Sequence, residues 1–242
     1  MKNKLYQTMR EKFIKLIKEN GLGGEEVTVR AATLSPEQAI GNPEDKDYPI
    51  VKGEERMMQA EFRGERGQAF TDRYGNFSGR LADIAAMELT NNFRRAVFVS
   101  SLNAVTRQLG LADRTVHCKN EEPKQCSLEL AKYIEENYGQ PKIAMVGFQP
   151  RMVEALAKQF ELRVTDMDQE NIGQEKFGVV IDGPAKTKEN LDWCDIAVVT
   201  GTTVVNDTIE QFGTDKPVIF YGVTIAGAAK LLDLNRFCPF GS

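Results

Sequence analysis

A chain of 242 residues with 41% hydrophobic and 27% charged side chains has an ordinary soluble composition, and it can bury a sizeable core as one large or two modest domains. The net charge of −4 is uneven: residues 1–112 carry 17 basic and 15 acidic side chains, and residues 113–242 carry 14 and 20. Neither half holds the concentrated basic face that a nucleic-acid backbone requires, so nucleic acid is excluded as the main partner, and no apolar run is long enough to span a bilayer.

The opening MKNKLYQTMREKFIKLIKENG sets Leu5, Met9, Phe13, Ile14, Leu16 and Ile17 along one side of a helix, which predicts a packed helix rather than a membrane anchor. Gly21 to Gly24 end it. Val27 to Leu34 reads as a strand, and Ser35 to Gly53, with three prolines, as a polar loop. Met57 to Phe62 and Gln68 to Thr71 flank Arg63-Gly64-Glu65-Arg66-Gly67 and predict a hairpin. A glycine-rich turn over 74–79 then leads to helices near Leu81 to Leu89 and Phe93 to Leu109. A helix, three strands and further helices make a small α+β unit of residues 1–112.

Residues 113–125 are polar, contain Pro123 and read as a linker. From 126 to 242 helical and extended patterns alternate. Helices are expected over Ser127 to Tyr138, Arg151 to Phe160, near Glu189, and over Ala226 to Leu232. Strands are expected over Lys142 to Val146, Leu162 to Thr165, Gly178 to Ile181, Ile196 to Val199 and Pro217 to Tyr221. About five mostly parallel strands with helices on both faces describe a Rossmann-like α/β domain.

In such a sheet, ligands bind beyond the carboxyl ends of the strands. The residues found there are Gly147, Phe148 and Pro150 after the first strand and Asp166 and Asp168 after the second. Gly183 follows the third, Gly201 the fourth and Gly222 the fifth. The fourth strand runs into DIAVVTGTTVVNDTIEQF, where Val204, Val205, Thr208, Ile209 and Phe212 recur at helical spacing. A helix beginning there would aim free N–H groups at the crevice, beside the hydroxyl and amide groups of Thr202, Thr203 and Asn206. The expected ligand is a small polar or anionic molecule. Asn103, inside an apolar helical pattern, needs a partner or a ligand; Arg80, Glu54 and Glu55 are further candidates to reach the crevice. His117, Cys118 and Cys126 are the available soft metal donors, but their spacing fits no standard zinc pattern and they read as a linker histidine and reduced thiols. Four cysteines in a chain opening without a signal peptide point to the cytoplasm. GxGxxG, GxSxG, HExxH and Walker A patterns are all absent.

VGFQP (Val146 to Pro150), the pair Asp166 and Asp168, TGTTVVNDTI (Thr200 to Ile209) and SLNA (Ser101 to Ala104) together resemble the DUF364 family, also called the heavy-metal chelation domain family, with its DUF4213 N-terminal partner. The resemblance implies an enolase N-terminal-like α+β domain followed by a Rossmann-like domain, with a pocket between them. It implies a role in heavy-metal chelation, or in making or processing a pterin-, flavin- or siderophore-like chelator by condensation or hydrolysis; that role is itself a proposal for the family. The matched positions Asn103, Gly147, Pro150, Gly201, Thr202, Thr203, Asn206 and Thr208 are carried over as a pocket. Phe148 departs from the pattern, standing where many members place a histidine. Three functions compete: an enzyme or chelator-handling protein, a non-catalytic module for a metal or metal chelate, and an S-adenosylmethionine-dependent methyltransferase. The residues name neither a general base nor a cofactor, and leave a homo-oligomer open.

Overall fold

The computed structural model of the protein describes residues 4–30, 40–42, 44 and 56–242. Most of the polar loop expected over 35–53, the end of the strand expected over 27–34, and Glu54 and Glu55 lie outside the described residues. Helix α1 (Lys4–Glu19) buries Tyr6, Met9, Phe13 and Ile17, the stripe its spacing demands. Strands β1 (Glu26–Arg30), β2 (Arg56–Phe62), β3 (Glu65–Thr71) and β4 (Phe77–Arg80) form an antiparallel sheet in the order β3-β2-β1-β4. The β2–β3 hairpin turns through Arg63 (φ 49°) and Gly64 (φ 86°), the left-handed pair that a two-residue hairpin loop uses. β4 corrects the expectation of a plain turn over 74–79: Phe77, Ser78, Gly79 and Arg80 pair with β1, giving this sheet four strands rather than three. Local glycines predicted a turn there, but the free edge of β1 claims the segment.

Helix α2 (Leu81–Ala86) follows, and then the helix at the centre of the molecule, α3 (Asn92–Gln108). The Asn91 side chain caps it by accepting the Arg94 N–H at 2.9 Å. Every residue from Arg95 to Thr106 is buried. One side of α3 packs on β2 and β3 and another on α7 (Ala226–Leu232), so the helix has no solvent face and carries no amphipathic pattern.

The second sheet has the order β11-β10-β9-β5-β6-β8-β7, from β5 (Ile143–Val146), β6 (Leu162–Thr165), β7 (Glu175–Lys176), β8 (Val179–Asp182), β9 (Ile196–Thr200), β10 (Val218–Tyr221) and β11 (Arg236–Phe237). All neighbours are parallel except β7 against β8. About five strands were expected; the two extra ones are two-residue edge strands, too short to leave a periodic signal. Side chains alternate across the sheet as the pleat requires. In β9, Ala197 and Val199 join the core formed with α1, α3 and the antiparallel sheet, while Ile196 and Val198 join the core under α4 (Glu122–Tyr138) and α5 (Pro150–Ala157). A short helix α6 (Thr187–Trp193) connects β8 to β9. From β5 the chain builds outward through β6 and β8, then returns to lay β9 on the other side, so the strand order reverses between β5 and β9.

Two expectations are corrected here. Helix α4 begins at Glu122, inside the segment read as a linker, because Pro123 is tolerated in a first helical turn. The segment before it is tied down at Thr115 and Val116, with the Thr115 carbonyl accepting the Gln68 N–H and Val116 exchanging backbone hydrogen bonds with Ser242. Between β9 and β10 no α-helix forms. Two 3-10 turns, Gly201–Val204 and Ile209–Phe212, are separated by Asp207 at φ 61°. Val204, Val205, Ile209 and Phe212 are buried as the spacing implied, but the left-handed residue between them stops helix propagation, and the expected helix dipole is not built.

Gly67 marks the tightest approach between layers. A Cβ there would collide with the α3 backbone at Ala104 N and Ser100 O, and would lie 2.7 Å from the carbonyl carbon of Asn103. Gly67→Ala is expected to destabilise the protein by more than about 3 kcal/mol. Gly64→Ala, which strains only the hairpin turn, should cost about 1–2 kcal/mol. Urea unfolding of the two variants checks the order.

Candidate functional site

The carboxyl ends of β5, β6, β9 and β10 open onto a cavity of about 620 Å³, to which the end of β3 adds Phe70, Thr71 and Asp72. Gly147 turns the chain out of β5 at φ 91°, and a Cβ there would lie 2.7 Å from Thr200 Cγ2, so two adjacent strands meet where only glycine fits. Its carbonyl accepts the Tyr221 hydroxyl at 3.0 Å, which fixes the end of β10 to the same turn.

Asp166 and Asp168 organise the loop after β6. Asp166 accepts the Phe148 N–H at 2.6 Å with one oxygen and the Asp168 N–H at 2.8 Å with the other. Asp168 accepts the Glu170 N–H and the Asn171 amide. Lys176 donates to Asn171 Oδ1 and sets its ammonium 4.7 Å from the centroid of the Phe148 ring. The threonines after β9 also serve their own turn: the Thr203 hydroxyl donates to the Thr200 carbonyl, and the Thr200 and Thr202 hydroxyls lie 3.1 Å apart. Asn206 reaches the cavity from a turn gripped from behind. The buried guanidinium of Arg95 donates to the Val205 and Leu89 carbonyls and to Asn92 Oδ1, and lies 3.8 Å from the Asp207 carboxylate. Asn92 in turn donates to Asp72 and, at 3.4 Å, to Asn206.

Ten of the strand-end and family-matched residues expected at the crevice line this cavity, namely Gly147, Phe148, Asp166, Asp168, Gly201, Thr202, Thr203, Asn206, Thr208 and Gly222, whereas Gly183 does not. Pro150 is buried in the first turn of α5, away from the lining, and Arg80 is exposed at the end of β4. Asn103 also lies off the lining. Its amide donates to the carbonyls of Gln68, Val223 and Thr224, and its oxygen accepts the Gly227 N–H at 2.7 Å. It positions the Val223–Thr224 turn, and Thr224 Oγ1 accepts the Phe70 N–H across the two sheets.

The turn Tyr221 to Thr224, expected beside the crevice, lines it throughout, whereas sequence reasoning missed Asp72, Asn92 and Cys238 as lining residues. Asp72 follows directly on β3, so the strand-end criterion would have found it had it been applied to the antiparallel sheet too. His117, Cys118 and Cys126 also line the cavity, together with Cys238. Burial keeps the His117 imidazole below its usual pKa, against the opposing pull of the Cys118 carbonyl and Glu122. Burial, reinforced by the neighbouring Cys126 and Cys238 thiols, pushes the Cys118 thiol far up, and burial with Cys238 pushes Cys126 up to about 12. Among the described residues no three His, Cys, Asp or Glu side chains are arranged to hold a metal ion. The heavy metal implied by resemblance therefore does not fit direct coordination by these side chains.

Two outcomes follow from this geometry. Asn103→Ala strips partners from buried backbone groups of both layers and is expected to lower stability by about 2–4 kcal/mol, read from urea midpoints. The raised thiol pKa values mean that the folded state holds protons the unfolded chain releases. Their contribution is complete below the ordinary thiol value of 9.0 and is lost as pH rises towards about 12. Urea midpoints measured between pH 8 and pH 10.5 should fall, and fall less in Cys126→Ala.

Residues 130–232, from within α4 to the end of α7, match the model of the DUF364 family, described as "Putative heavy-metal chelation". The match covers under half of the chain and includes every singled-out site residue except Asn103. The chain matches none of the curated proteins. Among the described residues no helix is long and apolar enough to cross a membrane. The fold is similar to that of a DUF364 protein of unknown function from Pyrococcus horikoshii, with a TM-score of 0.54 at 16% identity over 91% of this chain and 79% of that one. A second DUF364 structure of unknown function, from Desulfitobacterium hafniense DCB-2, aligns at 13% identity over 73% of this chain and 72% of that one, with a TM-score of 0.49. The mixed α/β architecture, an antiparallel sheet joined to a largely parallel one, is thus shared with a DUF364 structure, and residues 130–232 carry the DUF364 signature.

Proposed function

We propose that this protein binds a small organic molecule in the cavity at the carboxyl edge of its parallel sheet, and that any heavy metal it handles arrives inside that molecule as a chelate. The observation that carries this reading is the convergence of four strand ends of one sheet and the β3 end of the other on a single cavity of about 620 Å³. The volume suits a ligand of cofactor size. The family description supports a metal connection, and the lack of a preformed donor set among the described residues favours a chelate over a bare ion.

In the same reading, residues 1–112 form an enolase N-terminal-like unit and residues 126–242 a Rossmann-like unit, with 113–125 between them and the pocket at their junction. The four-stranded antiparallel sheet with its helices supports the first assignment, and the strand-order reversal at β5 and β9 supports the second. A chelator of pterin, flavin or siderophore type would be bound, with condensation or hydrolysis as the chemistry where turnover occurs. Asp72, which has one oxygen engaged by Asn92, is the carboxylate placed to act as a base, since both oxygens of Asp166 and of Asp168 already accept hydrogen bonds. That engagement also weighs against a methyltransferase reading, in which Asp166 would accept the ribose hydroxyls. The protein is read as cytoplasmic.

A thermal-shift and ligand-observed NMR screen of pterins, flavins, nucleotides and S-adenosylmethionine, each with and without metal ions, tests the site against Thr202→Trp, which fills the cavity. At least one compound should stabilise the wild type and bind Thr202→Trp at least about tenfold more weakly. A screen in which no compound responds to the substitution rejects the cavity as the functional site. Metal analysis after dialysis against zinc, copper or cadmium should find well under one ion per chain; a stoichiometric bare ion would overturn the chelate reading.

A further inference from the structure

Several of the groups by which this cavity could hold an anion are already engaged within the protein. Helix α5 starts at the cavity rim, where Gln149 and Met152 line it. Its first residue is Pro150, which has no N–H to offer, and the Gln149 side chain accepts the Met152 N–H at 2.5 Å. At the start of α7, the Ala226 N–H donates to the Val223 carbonyl and the Gly227 N–H to Asn103. After β9 there is a 3-10 turn whose Thr202 N–H donates to the Thr200 hydroxyl. Among the described lining residues there is no lysine or arginine. The one imidazole, His117, is kept neutral by burial.

Negative charge, by contrast, is built in. Asp72, Asp166 and Asp168 all line the cavity, and among the described residues none of them forms an ion pair. Their hydrogen-bond donors are neutral amides: Asn92 for Asp72, backbone N–H groups for Asp166, and a backbone N–H with Asn171 for Asp168. Arg95 stands behind Asn92 and Lys176 behind Asn171, so a cation lies one amide away from Asp72 and from Asp168, but neither reaches ion-pair distance and the carboxylates keep most of their charge. The remaining wall is apolar and polarisable, with Phe70, Phe148, Met152, Phe212, Tyr221 and Val223 contributing to it.

We infer that the ligand of this cavity is a molecule with a flat apolar body and a neutral or cationic head, and that anionic ligands are selected against. The inference rests on the cavity being the binding site and names the charge class that site takes. A cationic or charge-neutral chelate falls within it; a polycarboxylate chelator, a nucleotide or a phosphorylated cofactor falls outside. A carboxylate within about 8 Å of the head group, at an effective dielectric constant near 20, separates a cation from an anion by at least about tenfold after solvent screening.

Three probes sharing one ring system test this in the intact protein: 1-naphthylmethylamine, 1-naphthalenemethanol and 1-naphthoate, their affinities read by ligand-observed NMR titration against wild type and Thr202→Trp. The amine and the alcohol should bind, the naphthoate at least about tenfold more weakly than the amine, and Thr202→Trp should weaken whatever binds. In the double variant Asp72→Asn with Asp168→Asn the amine-to-naphthoate ratio should shrink; an unchanged ratio removes these carboxylates as its cause. Naphthoate binding as tightly as the amine, with Thr202→Trp still weakening both, overturns the charge inference and leaves the cavity reading standing. Binding that ignores Thr202→Trp overturns the cavity reading itself. Binding by none of the three at millimolar concentration overturns the flat-bodied ligand, and the wider compound screen then decides the cavity.

Discussion

A polar side chain sealed from water must find its partners inside the protein, and Asn103 finds them in both layers. It lies on α3 with no exposed surface, donating to the Gln68 carbonyl of the antiparallel sheet and to the Val223 and Thr224 carbonyls at the edge of the parallel one. Its oxygen holds the first turn of α7. Gly67 lets β3 close onto the same stretch of helix, against backbone rather than side chains. The rest of the architecture depends on this seam. One core runs unbroken from α1 through α3 to Val199, Phe220 and Ile225, so the antiparallel sheet covers a face of the parallel sheet that would otherwise be exposed.

The cavity is a consequence of that seam. Its walls come from turns that carry little regular structure of their own, and each turn is held by a buried group behind it. Arg95 shows the cost and the use of such a group. A buried guanidinium has to be fully partnered, and its partners are the Val205 and Leu89 carbonyls and Asn92, so satisfying the charge also fixes the turn that presents Asn206. Asp166 does the same for the turns after β5 and β6. Many of the polar groups facing the cavity are therefore committed to shaping it, which leaves the apolar surface and the carboxylates to set what enters.

Much of this was legible in the chain. The stripe of α1, the β2–β3 hairpin and the strands Ile196 to Thr200 and Val218 to Tyr221 follow from local periodicity, which reports burial face by face. The strand-end glycines pointed to the edge of the sheet on which the cavity lies. The helix expected after Thr203 shows the limit of the method: Val204, Val205, Ile209 and Phe212 are buried as their spacing implied, but burial at helical intervals does not require a helix. Asp207 takes a left-handed conformation beside Arg95, a contact with a residue more than a hundred positions away. Asn103 was noticed for the right reason, a polar group in an apolar pattern, and its partners turned out to be backbone rather than ligand.

By itself the sequence determined which residues are inside, which elements alternate, and which turns follow the parallel strands, because these depend on side-chain periodicity and on glycine and proline chemistry over a few residues. Only the tertiary structure decided that 113–121 is bound to β3 and the last residue, that β4 pairs with β1, and that His117, Cys118, Cys126 and Cys238 share a wall with Asp72, Asp166 and Asp168. It also decided that the Met152, Thr202, Ala226 and Gly227 N–H groups near the cavity rim are engaged within the protein. These features rest on pairings between residues far apart in the chain, and the partner of a hydrogen-bonding group is set by what the fold brings within 3 Å of it, which no local pattern encodes.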